Sequence, residues 1–141
     1  MPDAPRVRVW SDLEPGVRAE LPFSVSDAQM RGFAELSGDR NPVHLDAEVA
    51  RARGHAGPVV YGGLLLAQIS RMIGMELPGR DALWTGVSLE FVQPLYVGEP
   101  ARIEAEIVHV SEAVRSIELR LRLRAGDRTI ARGKAEVTLA R

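Results

Sequence analysis

The residues best suited to chemistry lie close together in FAELSGDRNPVHLD, which sets a carboxylate at Asp39, an amide at Asn41 and an imidazole at His44. A carboxylate and a histidine can divide general acid and general base work, one giving a proton while the other takes one. Adding water across a carbon–carbon double bond conjugated to a thioester needs such a pair: a base to deprotonate water and an acid to protonate the carbon beside the carbonyl. The charge that develops on the thioester oxygen also needs fixed backbone N–H donors, and a helix beginning at Gly62 would supply them. Glycine at that point lets an acyl carbonyl come close.

The same residues have plainer uses. Asp39 and Asn41 are of the types that cap turns, and a lone histidine is commonly a surface or packing residue. Gly62 and Gly63 also suit tight strand-to-helix packing, and Ser70 suits an ordinary hydrogen bond within its helix. An EF-hand loop wants oxygen ligands at its first, third and fifth positions, and the fifth here is Val43, so calcium does not fit. A divalent ion on Asp39 and His44 finds no second ligand cluster, since His55 and His109 stand alone, and no metal is expected. No GxxxxGKS/T, GxGxxG or GxSxG run occurs, which removes the usual phosphate-cradling and serine-hydrolase readings. Without cysteine there is no thiolate nucleophile or disulfide, in keeping with a cytoplasmic protein.

Positioning these residues falls to elements legible in the pattern. RVRVW alternates as a strand should, LEPG makes a turn, and VRAELPFSV is a second extended piece that Pro22 assigns to an edge. Ser26 and Gln29 fit a capping box, with Val25 and Met30 as its hydrophobic staple. A helix is therefore predicted from Asp27, burying Met30, Phe33 and Ala34 and ending at Gly38. Pro42 stiffens the loop that follows, because it donates no backbone hydrogen bond and restrains Asn41 to an extended conformation. Asp46 suits the cap of a short helix through AEVARAR, closed by Gly54. LLLAQISRMIGM is apolar over most of its circumference, as expected of a helix with sheet on several sides.

Beyond Gly79 four segments alternate with period two: Val87, Leu89 and Phe91; Ile103, Ala105 and Ile107; Ile117, Leu119, Leu121 and Leu123; Ala131, Ala135, Val137 and Leu139. The short connections QPLYVGEP, VSEAV and AGD predict a four-stranded antiparallel meander with one wet face, wrapped around the long helix. The result is one α+β domain over residues 1–141. His109 falls in phase with Ile107 and reads as a partly buried or strand-end residue. Arg120, Arg122 and Arg124 read as the solvent side of a strand.

The chain's 45% hydrophobic and 26% charged residues are ordinary for one soluble domain. Eighteen basic and nineteen acidic residues leave a formal charge of -1, with no field to recommend nucleic acid or an anionic membrane as partner. MPDAPRVRVW has an acid where a secretory peptide needs a basic start and an apolar run, so no export signal is read. GPVVYGGLLLAQI is too short to span a bilayer.

FAELSGDRNPVHLD resembles the hydratase signature of the MaoC-like, (R)-specific enoyl-CoA hydratase and dehydratase family of hot-dog proteins. GPVVYGGLLLAQIS is similar to that family's approach to its central helix, and LPGRDALWTGVSLEFVQPLYVGEP to the segment running into its first long strand. The resemblance spans nearly the whole chain. It implies the hot-dog fold, Asp39 and His44 as the catalytic pair, Asn41 ordering the site, the Gly62 N–H binding the thioester oxygen, and Ser70 near the site. It implies reversible hydration of a 2-enoyl thioester, carried by CoA or an acyl carrier protein, to the (R)-3-hydroxyacyl thioester. No cofactor is needed, and a homodimer or dimer of dimers is implied. Many relatives have histidine before the glycine, where this chain has Tyr61, Gly62 and a further Gly63. A tyrosine there would close part of an acyl tunnel or add a hydroxyl donor, which makes Tyr61 and Gly63 candidate substrate-binding residues. A hot-dog thioesterase is the alternative enzyme, but it relies on a carboxylate on the central helix, and LLLAQISRMIGM has none. Against a third reading, a non-catalytic acyl-binding dimer subunit, stands the intact set of Asp39, Asn41 and His44.

Overall fold

The computed structural model describes residues 3–140. Met1, Pro2 and Arg141, and with them the ends of the expected 1–141 domain and the start of the segment read against an export signal, lie outside the described residues. The elements run β1 (Arg18–Phe23), α1 (Asp27–Ser37), α2 (Ala47–Ala52), α3 (Gly62–Arg71), β2 (Ala82–Phe91), β3 (Ala101–Ser111), β4 (Ser116–Ala125) and β5 (Arg128–Leu139). All five strands form one antiparallel sheet in the order β1-β3-β4-β5-β2.

Period-two patterning explains which face of this sheet meets α3. Ile103, Ile107, Leu119, Leu121, Leu123, Ala131, Ala135 and Val137 are buried, in one core with Leu65 and Ile69 of α3. Each fully buried leucine or isoleucine contributes about 1.5–3 kcal/mol relative to an exposed one, so the alternation is enough to choose the sheet's inner face. The outer face carries charge, with Arg18 bound to Glu106 at 2.7 Å and Arg102 to Glu104 at 3.1 Å. Arg120 and Arg122 project there, away from α3, as the pattern predicts. β4 is the middle strand, so these charges guard no edge.

α1 follows its local signals. Ser26 Oγ accepts from the Gln29 N–H at 3.1 Å and Gln29 Oε1 accepts from the Ser26 N–H at 2.9 Å, and Gly38 closes the helix at φ 76. Asp46 caps α2 as expected, its Oδ1 accepting from Glu48 N–H at 2.9 Å. α3 runs on into a π-helical turn, Met72–Glu76.

Three expectations are corrected. β2 does not join a meander with β3: it lies at the far edge, paired with β5, and residues 92–100 carry the chain back across to β3. RVRVW is not a strand. Its Arg6 N–H donates to Met75 O and its Arg6 carbonyl accepts from Arg80 N–H, so the segment lies against the π-helical turn. The apolar phase does not face inward: Val7 and Val9 are exposed, while Arg6 and Arg8 bind Glu76. His109 is exposed, because a bulge between Ile107 and His109 shifts the phase and sets it opposite Glu118 on the charged face.

Candidate active site

The loop between α1 and α2 is built as two successive side-chain-to-backbone turns. Asp39 Oδ1 accepts from Asn41 N–H at 3.0 Å, and Asn41 Oδ1 accepts from Val43 N–H at 3.2 Å. Ser37 Oγ anchors the near end by accepting from Asp39 N–H at 3.0 Å. The turn-capping use of Asp39 and Asn41 is therefore real, and it aims the Asp39 carboxylate while occupying one of its oxygens. Oδ2 accepts no hydrogen bond among the described residues.

After Pro42 the chain tightens, with His44 N–H bonded to Asn41 O at 3.1 Å, and the His44 ring turns toward the segment that leads into α3. Nδ1 lies 2.6 Å from Val59 O. A carbonyl oxygen only accepts, so Nδ1 carries the hydrogen and, in the neutral ring, Nε2 presents a lone pair. Val59 is itself fixed: its N–H donates to Val43 O at 3.1 Å, and it bridges to Tyr96 in the β2–β3 connection. The imidazole is half-buried and the Asp39 side chain exposed.

Tyr61 lies between them. It is 1% exposed, its ring stacks on His44 with centroids 4.0 Å apart, and its hydroxyl donates to the Asp39 carbonyl oxygen at 2.6 Å. Burial first, then the Asp39 carboxylate, push its phenol above the ordinary value, so the hydroxyl stays a donor at neutral pH.

Immediately after Tyr61, α3 begins. The Gly62 and Gly63 N–H groups meet no acceptor among the described residues, and no side chain caps this helix. Two donors at the positive end of a helix dipole are thus left without a protein partner among the described residues directly after Tyr61, the residue stacked on His44. The two glycines differ. A β-carbon on Gly63 would overlap the Phe33 ring, so this glycine makes room for packing, whereas one on Gly62 would stand 3.0 Å from Cζ of Phe91, a half-exposed ring.

The structure thus gathers Asp39, Asn41, His44, Tyr61 and Gly62 about the start of α3. Ser70 is exposed on α3, beyond its middle, and its side chain makes no hydrogen bond among the described residues. Phe33, Val59 and Phe91 were not singled out as site residues by sequence reasoning. Phe33 and Phe91 carry only an apolar phase as their signal, and Val59 takes part through its carbonyl, which leaves none.

A five-stranded antiparallel sheet wrapped around a central helix is the hot-dog fold. Within that class the sequence matches the MaoC like domain over residues 11–126, and the chain belongs to that family. It is 37% identical over 100 residues to an (R)-specific enoyl-CoA hydratase of Aeromonas caviae, covering 71% of this chain and 75% of that protein. It is 30% identical over 132 residues to a 3-hydroxybutyryl-CoA dehydratase of Methylorubrum extorquens, covering 94% and 84%. Among solved structures, the (R)-hydratase from A. caviae involved in PHA biosynthesis superposes with a TM-score of 0.86 at 34% identity, over 91% of this chain and 98% of that one.

Proposed function

We propose that this chain is a hydro-lyase that adds water reversibly to 2-enoyl thioesters, giving (R)-3-hydroxyacyl thioesters. The observation that carries the reading is the Nδ1–Val59 hydrogen bond, which leaves the His44 Nε2 lone pair available as a base, while one Asp39 oxygen stays uncommitted on the same loop. The relatives' names point to the same reaction.

In the hydration direction, Nε2 takes a proton from a water held between His44 and Asp39. The water oxygen bonds to C3, and the double-bond electrons move through C2 to the thioester oxygen. The Gly62 N–H stabilises the resulting enolate, with the positive end of α3 behind it. C2 then receives a proton from the dyad, so both added groups come from water and the residues return to their starting states.

A homodimer belongs to the same proposal. Val87 and Phe91 pair with the buried Ala135 and Ala131, so they face the inner side of the sheet, yet they are 48% and 54% exposed. A second subunit against β2 would cover them and wall the side of the site where Phe91 meets Gly62.

The reaction is tested by following the ultraviolet absorbance of a short 2-enoyl-CoA. Asp39→Asn keeps an oxygen for the Asn41 N–H and removes only the carboxylate charge; His44→Ala removes the base. Each is expected to lower kcat about a hundredfold or more, and undiminished turnover in both overturns the assignment.

A further inference from the structure

Tyr61 touches both members of the proposed pair and neighbours the proposed oxyanion donor. Its ring is stacked on one side against His44 at 4.0 Å and 26° and lies 4.7 Å from Phe33 at 47°. Its hydroxyl reaches back across the site to the Asp39 carbonyl at 2.6 Å, and its next residue is Gly62. We infer that Tyr61 is a positioning residue, a strut that fixes the Asp39 backbone and the His44 ring in one relation to each other and to the start of α3. The inference rests on the reading of Asp39 and His44 as the reacting pair.

Two other roles fit the geometry less well. A hydroxyl has one hydrogen, and here it is given to Asp39 O, so Tyr61 has none to offer a thioester oxygen. With 1% of its surface exposed, the ring offers almost no wall to an acyl chain.

What the strut supplies follows from what else holds the two groups. His44 Nδ1 is pinned to Val59 O, but one hydrogen bond leaves the ring free to swing about it, and the stacked face of Tyr61 removes that freedom. Asp39 sits on an exposed loop tied at its N–H to Ser37, and the Tyr61 hydroxyl ties its carbonyl. A displacement of about 1 Å between reacting groups can cost on the order of a hundredfold in rate.

The test measures kcat and KM on a short 2-enoyl-CoA for the native protein, Tyr61→Phe, Tyr61→Leu, Asp39→Asn and His44→Ala, with amide hydrogen exchange across residues 39–44. Tyr61→Phe keeps the stacking and loses the tie to Asp39. It is expected to lower kcat about tenfold with KM within about twofold, and to speed exchange in the loop while leaving α3 protected. Tyr61→Leu also removes the ring and is expected to lower kcat about a hundredfold; should it fail to fold, Tyr61→Phe decides alone. Unchanged kcat and loop exchange in Tyr61→Phe, with Asp39→Asn and His44→Ala impaired, overturn the strut and leave the pair standing. Full turnover in Asp39→Asn and His44→Ala removes the pair, and the strut's catalytic role with it.

Discussion

Gly63 lies so close to the ring of Phe33 that a β-carbon there would overlap it, whereas a β-carbon on the preceding Gly62 would stand 3.0 Å from the tip of Phe91. Phe33 is packed on Tyr61 and cannot yield easily, while the Phe91 ring is half-exposed and can swing away. Gly63→Ala is therefore expected to destabilise the fold by about 1–3 kcal/mol, read as a lower denaturant midpoint. Gly62→Ala should unfold near the native midpoint and lose about tenfold in kcat/KM by crowding the thioester oxygen. Equal midpoints for the two variants would contradict this division of roles.

Local signals made α1 and its cap legible in the sequence, because Ser26, Gln29 and Gly38 act within one or two turns of each other. The strands β3, β4 and β5 were legible for a similar reason: period two and tight turns leave little choice of partner. The position of β2 was not, since it depends on residues 92–100 crossing from the edge beside β5 to β3 rather than on any property of the strand itself. Val87 and Phe91 have the phase of core residues but remain exposed at the sheet edge, Phe91 lying against the first residue of α3, and a pattern cannot report how completely a helix covers a strand. At the site, Asp39, Asn41 and His44 stood out by residue type. Their orienting contacts did not: Val59 acts through its backbone, and Tyr61, singled out only as a substrate-binding candidate, meets Asp39 from 22 positions away.

The state of Tyr61 offers a pH test. Burial, followed by the Asp39 carboxylate, raises its phenol above the ordinary value of about 10. A folded-state value raised above the unfolded one gives stability that is present below the ordinary value and lost as pH rises through the raised one. The chain has two tyrosines, so in Tyr96→Phe the remaining phenolate absorbance reports Tyr61 alone. It should appear above pH 10, with stability falling over the same alkaline range. Phenolate appearing at or below the ordinary value in the folded protein would show that Tyr61 is not held as described.

Glu99 and Arg128 brace the crossover that supports the site. The guanidinium donates to both carboxylate oxygens, at 2.7 and 2.9 Å, and also to Pro94 O at 3.1 Å. Arg128, with help from the Tyr96 N–H, holds Glu99 below the usual carboxylate range. The depressed value means the pair's contribution is present above the unfolded value and lost as pH falls through the folded one. Glu99→Gln should lower the melting temperature at neutral pH, with the deficit shrinking under acid; a deficit independent of pH would rule out the ion pair as its source. Leu95 O accepts from Val60 N–H at 2.8 Å, so the same variant should also loosen the segment carrying Val59.

The proposed homodimer places its partner at the edge of β2. Backbone groups on its free side and the apolar surfaces of Val87 and Phe91 are exposed together, a combination that favours strand-to-strand association unless charge or cover prevents it. Val87→Arg would set a cation in the middle of that surface while leaving Gly62, His44 and Asp39 untouched. Light scattering after size-exclusion chromatography should report twice the chain mass for the native protein and one chain mass for the variant. The side of the site next to Phe91 would then be open to solvent, and a weaker KM for the 2-enoyl thioester is expected alongside the change in mass. A native protein that stays monomeric across micromolar concentrations, with the KM of the variant unaltered, would show that the site is complete within one chain.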